Sequence, residues 1–265
     1  MLVDSHCHYN LDPLFGSWEN HWQKAQAAGV TASVVIGTDL TSSKRAIALA
    51  EENQRFVATV GFHPNFFKTK EQLAEIAQLE TIITNKNVVA LGEIGLDYFR
   101  LSDSDTDSEI KELQKQAFRI QLELATKHSL PVCIHVRDAQ EQAYDDLLEI
   151  LTAAALGDIP FILHCVSGSS DYIQKALELG AYIGVAGNST YPKSDAIRAA
   201  IALAPADRIV LETDAPYLPP QAYRGQTCEP WMIAETAKNF FLEKHITADQ
   251  ILSNTRAAFL DKIPS

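Results

Sequence analysis

The sequence lacks the features that mark secreted and membrane-embedded proteins. Its four cysteines lie far apart and form no C-x-x-C pair, which argues against a disulfide framework or a structural zinc ribbon. No apolar run approaches the ~20 residues of a membrane span. The first residues also lack a cationic stretch followed by an apolar secretion core. We therefore expect a cytoplasmic protein that is not associated with a membrane.

Positive charge is scarce as well. The chain has 22 lysines and arginines against 34 acidic residues, for a net charge of −12, which argues against nucleic-acid binding through a broad basic face. The net charge is still compatible with nucleic-acid binding at a local site where bound metal ions make the charge positive. The remaining composition is that of a globular protein, with 46% hydrophobic residues and no linker-like stretch in 265 residues. We expect a single domain over residues 1–265.

Short β-branched or aromatic runs alternate with helical patterns along the chain. The runs are nearly continuous in apolar character, as in parallel strands covered by helices. They occupy residues 1–6, 32–38, 56–64, 88–97, 131–138, 161–165, 181–187 and 208–216. Eight strands alternating with helices predict a (β/α)8 TIM barrel. The alternative is an open doubly wound sheet, but its nucleotide-binding version lacks a G-x-G-x-x-G after the first strand.

The helical patterns are clearest in one segment. Over residues 109–128, apolar side chains fall on one face at steps of three and four residues. "TADQ" at 247–250 is typical of a capping box that opens the last helix. The polar stretch 101–109 is interpreted as a solvated loop. Further helices are predicted near 71–85, 139–155, 170–179 and 194–204.

Polar residues follow the apolar part of five predicted strands. The carboxyl ends of barrel strands meet at one mouth, so these side chains can converge there. Imidazoles and carboxylates are ligands that divalent cations accept, and six of them suffice for two ions with positions open to water. One carboxylate bridging two metals would use the whole set. The six residues are His6, His8, Glu93, His135, His164 and Asp214.

The stretch "DSHCH" allows three interpretations: a packing accident, a Cys/His zinc clip, or part of a site completed elsewhere. Residues two apart in a strand point the same way, so His6 and His8 share a face and Cys7 takes the other. The clip is therefore disfavoured, and Cys7 is expected to be a small buried residue. We interpret the two histidines as one side of the barrel-mouth site.

Five other polar residues have open alternatives. His63 either touches substrate or caps a turn before a proline, and Arg137 either meets an anionic substrate or pairs with nearby acidic groups. Arg224 follows the eighth predicted strand, where this architecture often binds phosphate. Glu212 is a partner of the ligands or an auxiliary ligand, and Asp97 belongs either to the site or to a turn.

The motifs occur in an order that resembles TatD-family metal-dependent hydrolases. They are "DSHCH", "VGFHP", "GEIGLDY", "PVCIHVRDA", "ILHCVSGS", "GVAGNSTYPKS" and "VLETDAPYL". The similarity covers nearly the whole chain and implies a barrel of the amidohydrolase-like group. It implies the same six metal ligands, and it implies an activity, since characterised members are mainly DNases, including 3′ to 5′ exonucleases.

The resemblance leads to an expected mechanism. Two divalent ions (Mg²⁺, Mn²⁺ or Zn²⁺) lower the pKa of a water toward ~7, and the hydroxide attacks a phosphodiester of DNA, single-stranded or at a 3′ end. Glu93 bridges the ions, while Asp214 orients the hydroxide and accepts its proton. His63, Arg137 and Arg224 are expected to bind phosphate oxygens. The rivals are a hydrolase of small esters, lactones or amides on the same barrel, and a non-catalytic metal-binding barrel.

Overall fold

The computed structural model describes residues 1–102, 104–244 and 246–264. Within these ranges, eight parallel strands form one sheet in the order of the sequence and curve into a nearly closed barrel. The strands are β1 (Leu2–Cys7), β2 (Val30–Val35), β3 (Phe56–Val60), β4 (Val88–Asp97), β5 (Val132–Arg137), β6 (Phe161–Leu163), β7 (Tyr182–Val185) and β8 (Ile209–Leu211). The predicted (β/α)8 barrel is confirmed.

Helices cover the outside of the barrel, and the last two of them follow β8. They are α1 (Trp18–Ala27), α2 (Leu40–Glu52), α3 (Asp105–His128), α4 (Gln142–Ala154), α5 (Ser170–Glu178), α6 (Asp195–Leu203), α7 (Ile233–Lys244) and α8 (Ala248–Ala258). The connection between β3 and β4 is the 3-10 helix Lys70–Thr81, where the sequence predicted an ordinary helix over 71–85. Within the described residues, no helix has the length and apolar character needed to cross a membrane.

Side chains help to join the last strand to the first. Thr213 donates to the fully buried Asp4 twice, from its backbone N–H at 3.0 Å and from its hydroxyl at 2.6 Å. At the mouth, the Asp214 N–H donates to the His6 carbonyl oxygen at 2.9 Å. These bonds fix the end of β8 against β1. The two strand ends thereby bring Asp214 beside His6.

The two faces of the sheet carry separate apolar clusters. Cys133 packs inside the barrel with residues such as Val34 and Val210. Cys7 is fully buried in the larger cluster that includes the helices, and its Sγ lies 3.8 Å from the Ala215 carbonyl oxygen. The alternation predicted for β1, with Cys7 facing away from the two histidines, is thus observed.

The polar segment 101–109 is only partly a loop. Helix α3 already begins at Asp105, since the Ser104 hydroxyl accepts from the Asp107 N–H at 3.3 Å and caps its first turn. Acidic residues in that turn stabilise the helix, because their negative charge interacts with the positive end of the helix dipole. The solvated-loop interpretation of 105–109 was therefore wrong, and Asp103 lies outside the described residues.

Candidate metal centre

The barrel mouth collects the six predicted ligands from five strands. His6 lies in β1 and His8 just beyond it, while His135 lies in β5. His164 directly follows β6, and Asp214 comes three residues after β8. The site therefore assembles only when the strand ends are packed side by side.

Glu93 lies well before the end of its strand. It is inside β4, as the sequence predicted for the run over residues 88–97. The neighbouring strand β3 ends at Val60, which pairs with Leu91, so β4 beyond that point has lost one partner. The Glu93 N–H instead donates to the Gly37 carbonyl oxygen at 2.7 Å, next to the end of β2. The early end of β3 thus places a mid-strand carboxylate at the rim.

One oxygen of Glu93 faces the histidines of the first strand. Its Oε2 lies 3.5 Å from His6 Nε2 and 3.7 Å from His8 Nε2. Asp214 Oδ1 lies 3.7 Å and 3.3 Å from the same two nitrogens. Donor atoms that bind one ion at ~2.1 Å in tetrahedral geometry are about 3.4 Å apart. These four side chains have that spacing.

The other oxygen of Glu93 faces a second pair of histidines. Its Oε1 lies 2.8 Å from His135 Nδ1 and 3.0 Å from His164 Nε2, and those two nitrogens are 3.3 Å apart. One carboxylate therefore contacts two groups of imidazoles, one through each oxygen. Each oxygen of Glu93 is thus placed beside a different set of imidazole nitrogens.

Asp97 and Glu212 lie behind this second pair. Asp97 Oδ2 is 3.4 Å from His135 Nε2, and Glu212 Oε1 is 3.4 Å from His164 Nδ1. Asp97 is held by the Asn65 side-chain amide at 2.7 Å, and Glu212 accepts from the Cys165 N–H at 2.5 Å. Such carboxylates orient a ligating imidazole and fix its tautomer. The structure thereby assigns positions to two residues whose roles the sequence left open.

His8 and His63 both present Nε2 to Glu93, but only one of these nitrogens carries a proton. His8 Nδ1 lies 3.3 Å from the Ile36 carbonyl oxygen and donates to it, so neutral His8 offers a lone pair at Nε2. His63 Nδ1 instead accepts from the Asn65 N–H at 3.1 Å, so its proton sits on Nε2, 3.6 Å from Glu93 Oε1. His8 has the form of a ligand. His63 has the form of a hydrogen-bond donor at the edge of the site.

The two central carboxyls are anionic near neutral pH. Burial raises the pKa of Glu93, but the charge of His164 and the hydrogen bonds from His135 and His164 outweigh it and hold that pKa well below its ordinary value. Burial opposes the charge on Asp214 too, but the adjacent His8 imidazole and the charge of His164 lower its pKa below the usual range. Burial and the charge of His135 lower the pKa of His63 to about 3. The site thus offers negative charge and a neutral His63.

The donor set fits divalent cations. Several buried atoms make no hydrogen bond to any described residue, among them both ring nitrogens of His6 and Glu212 Oε2. Buried polar atoms without a partner are costly, and ligation relieves that cost. Four groups of three residues have possible ligand atoms that all lie within 4.8 Å of one another. They are His6–His8–Glu93, Glu93–His135–His164, His6–His164–Glu212 and His63–Asp97–His135.

The two predicted phosphate-binding arginines lie on aromatic rings. The Arg137 guanidinium carbon is 3.8 Å from the centre of the Phe99 ring, and that of Arg224 is 4.0 Å from the Tyr191 ring. Asp138, the acidic group next to Arg137 in the chain, accepts from the Gln140 and Ala143 N–H groups at 3.0 and 2.8 Å. Both arginine side chains are exposed. The phosphate-binding role of either arginine stays a prediction.

Comparison with known proteins identifies the family. A family model described as TatD related DNase matches residues 3–261. The chain belongs to the TatD family. Two relatives are YabD of Bacillus subtilis (strain 168) and YjjV of Escherichia coli (strain K12), each named an uncharacterized metal-dependent hydrolase. YabD is 33% identical to the chain, and the match covers 96% of each protein. YjjV is 34% identical, and the match covers 97% of each.

Solved structures agree with this TatD membership. The crystal structure of YjjV has a TM-score of 0.85 at 33% identity, and a TatD family hydrolase from Entamoeba histolytica has 0.81 at 26%. Each comparison covers 98% of both chains. An organophosphorus hydrolase from Deinococcus radiodurans shares the fold alone, with 0.64 at 14% identity over 97% of this chain and 92% of its own. The TatD protein described here is a metal-dependent hydrolase.

Replacing the carboxylates behind the histidines tests how this TatD site holds its metal. We expect Asp97→Asn and Glu212→Gln each to weaken metal binding by roughly 10- to 100-fold, because a ligating imidazole loses its orienting partner. The control is Glu178→Gln, an exposed carboxylate on α5. Isothermal titration of the metal-free proteins with Mn²⁺ and Zn²⁺ measures the change. Unchanged affinity in both site variants would show that these carboxylates do not support the ligands.

Proposed function

We propose that the chain is a deoxyribonuclease that uses two divalent ions to remove nucleotides from the 3′ ends of single-stranded DNA. The observation that carries the proposal is the position of Glu93, whose two oxygens face separate groups of histidines. Paired ions suit phosphodiester cleavage, because they stabilise both the attacking and the leaving oxygen. Membership in a family described by its DNase activity supports the same choice.

Each side chain has a defined task in this proposal. His6, His8 and Asp214 would hold one ion, His135 and His164 the other, and Glu93 both. When bound, the ions supply Lewis acidity and the positive charge that a chain of net charge −12 lacks. Asp214 accepts the proton of the attacking water, and the turn at Asp214, with φ of 56°, sets the direction of its carboxylate.

The edge of the site would bind the phosphate. His63 presents its Nε2–H beside Glu93 and can donate to a phosphate oxygen. Arg137 ends β5 two residues after His135, so its charge lies at the same rim. Arg224 lies on the segment after β8 and is proposed to neutralise the flanking phosphate. A cytoplasmic location stays a prediction from the sequence.

An assay with matched substrates tests the activity. With Mg²⁺ or Mn²⁺, we expect a 5′-labelled single-stranded oligonucleotide to shorten stepwise from its 3′ end, with slower action on duplex DNA and RNA. Chelation with EDTA should stop the reaction. Asp214→Asn, purified in parallel, should lose roughly 10²-fold or more, which excludes a contaminating nuclease.

The rival activities are measured in the same preparation. If the metal-loaded protein releases no nucleotide but hydrolyses an ester, lactone or amide from a panel, the nuclease proposal is wrong and the small-molecule hydrolase replaces it. If metal binds with no turnover on any substrate, even in a single-turnover experiment, the barrel is a non-catalytic metal-binding protein.

A further inference from the structure

Among the side chains that the structure describes, the largely exposed aromatic ones lie at the barrel mouth. The chain has 11 phenylalanines, 8 tyrosines and 3 tryptophans. Among the described side chains, only Phe99 (43% exposed) and Tyr217 (53% exposed) are aromatic and largely open to solvent. Both directly follow segments that carry site residues, Phe99 two residues after Asp97 and Tyr217 three residues after Asp214. Their exposure therefore coincides with the candidate metal centre.

Backbone hydrogen bonds tie both aromatic residues to the site. The Phe99 N–H donates to Asp97 Oδ1 at 3.2 Å, and Asp97 in turn contacts His135. The Tyr217 N–H donates to the Asp214 carbonyl oxygen at 2.8 Å. Neither ring is held by a long flexible stem, since each has only two side-chain torsions. Exposed rings in fixed positions present flat apolar faces beside the reacting groups.

Phe99 follows β4 and Tyr217 follows β8, and these two strands lie across the barrel from each other because the eight strands are arranged in sequence order. Tyr217 stands 5.9 Å from the His8 ring in an edge arrangement, and His8 faces Glu93 Oε2. Phe99 is linked through Asp97 to His135, and His135 faces Glu93 Oε1. Arg137 covers the Phe99 ring and adds a positive charge on that side. A phosphodiester held over Glu93 would have one aromatic ring toward each of its two nucleosides.

We propose that Phe99 and Tyr217 are base-stacking residues that hold the nucleobases on either side of the scissile phosphate. This inference rests on the proposed nuclease function and makes it more specific. The preferred substrate is a single strand with two consecutive bases at its end, because paired bases stack on each other and not on the protein. Stacking on aromatic side chains tolerates any base, so little sequence preference accompanies it.

Substrates that lack single bases separate stacking from a structural role. One single-stranded oligonucleotide carries all its bases, and two others carry a tetrahydrofuran residue at the terminal or the penultimate position. We expect Phe99→Ala and Tyr217→Ala each to lower kcat/KM on the complete strand by about 10- to 100-fold. Each variant should lose nothing further when the base that its ring contacts is already missing.

Two control variants accompany the test. Tyr217→Phe keeps the ring and should retain most of the activity on the complete strand. Leu179→Ala truncates an exposed apolar side chain at the end of α5 and should match the parent protein. Equal losses on strands with and without the bases, or no loss at all, would overturn the stacking proposal while leaving the nuclease function intact.

Binding without turnover distinguishes the two proposals. Fluorescence anisotropy with labelled phosphorothioate oligonucleotides, which resist cleavage, measures the affinity of the metal-loaded protein alone. If the parent protein binds the complete strand more tightly than the abasic strands but never cleaves an unmodified strand, the stacking proposal stands and the nuclease proposal falls. If the parent protein binds complete and abasic strands equally, the stacking proposal falls whatever the activity.

Discussion

Glu93→Ala is expected to remove bound metal and activity together. The carboxylate contacts both groups of imidazoles, so its loss takes a ligand from each proposed ion at once. Loss of several kcal/mol of transition-state stabilisation corresponds to a fall in kcat/KM of roughly 10³-fold or more. Elemental analysis of the purified variant, with the nuclease assay beside it, measures both effects. Retained activity would remove Glu93 from the site.

Matched variants show whether the metal loss is specific. Glu229 also sits between basic groups, with its Oε2 2.9 Å from His21 and 2.8 Å from Lys24, but it lies outside the six residues. Glu229→Ala should therefore keep the metal content of the parent protein. His164→Ala removes a side chain from only one oxygen of Glu93, so we expect it to lose one ion and keep the other. Loss of the same amount of metal in Glu93→Ala and His164→Ala would contradict the two-ion site.

Gly95→Ala is expected to have the largest effect on stability. Gly95 pairs with His135 across β4 and β5, and it has a φ of 142°, which side-chain-bearing residues rarely adopt. A Cβ at this position would lie 1.9 Å from the His135 carbonyl oxygen, so the backbone of one strand must move. We expect a loss of about 3–5 kcal/mol in the free energy of unfolding, measured by urea denaturation.

A second glycine provides the control. An added Cβ at Gly16 meets no described atom within 4 Å, and Gly16→Ala should therefore change the free energy of unfolding by less than about 1 kcal/mol. Because β4 carries Glu93 and β5 carries His135, any folded Gly95→Ala protein should also bind metal more weakly. A variant with normal stability and normal metal content would show that the strands do not approach as closely as described.

The pattern of apolar runs was sufficient to predict the barrel. Strand β4 was predicted over 88–97 and is observed over Val88–Asp97. Helices α1, α2 and α7 were not predicted, since their apolar faces are interrupted by polar or small residues, as in "WENHWQKAQA". The connection at Lys70–Thr81 forms a 3-10 helix, a distinction that periodicity over a short segment does not resolve.

Strand periodicity and the barrel rule also selected the six candidate ligands. Both operate on local sequence, because a polar residue that ends an apolar strand marks the mouth wherever it lies along the chain. His6 and Asp214 are separated by more than 200 residues, yet their side chains lie 3.7 Å apart. The roles of Asp97 and Glu212 were not predictable in this way, because each depends on which imidazole nitrogen lies opposite its carboxylate.

The sequence by itself determined the barrel, the family and the set of residues at the mouth, since these follow from periodicity and from ordered motifs. Only the tertiary structure decided which of these residues face each oxygen of Glu93. The early end of β3 brings Glu93 to the rim and lets its two oxygens face different histidines. The hydrogen bonds at Nδ1 separate His8, which presents a lone pair, from His63, which presents a proton. These distinctions depend on contacts between strands far apart in the chain, which no local pattern encodes.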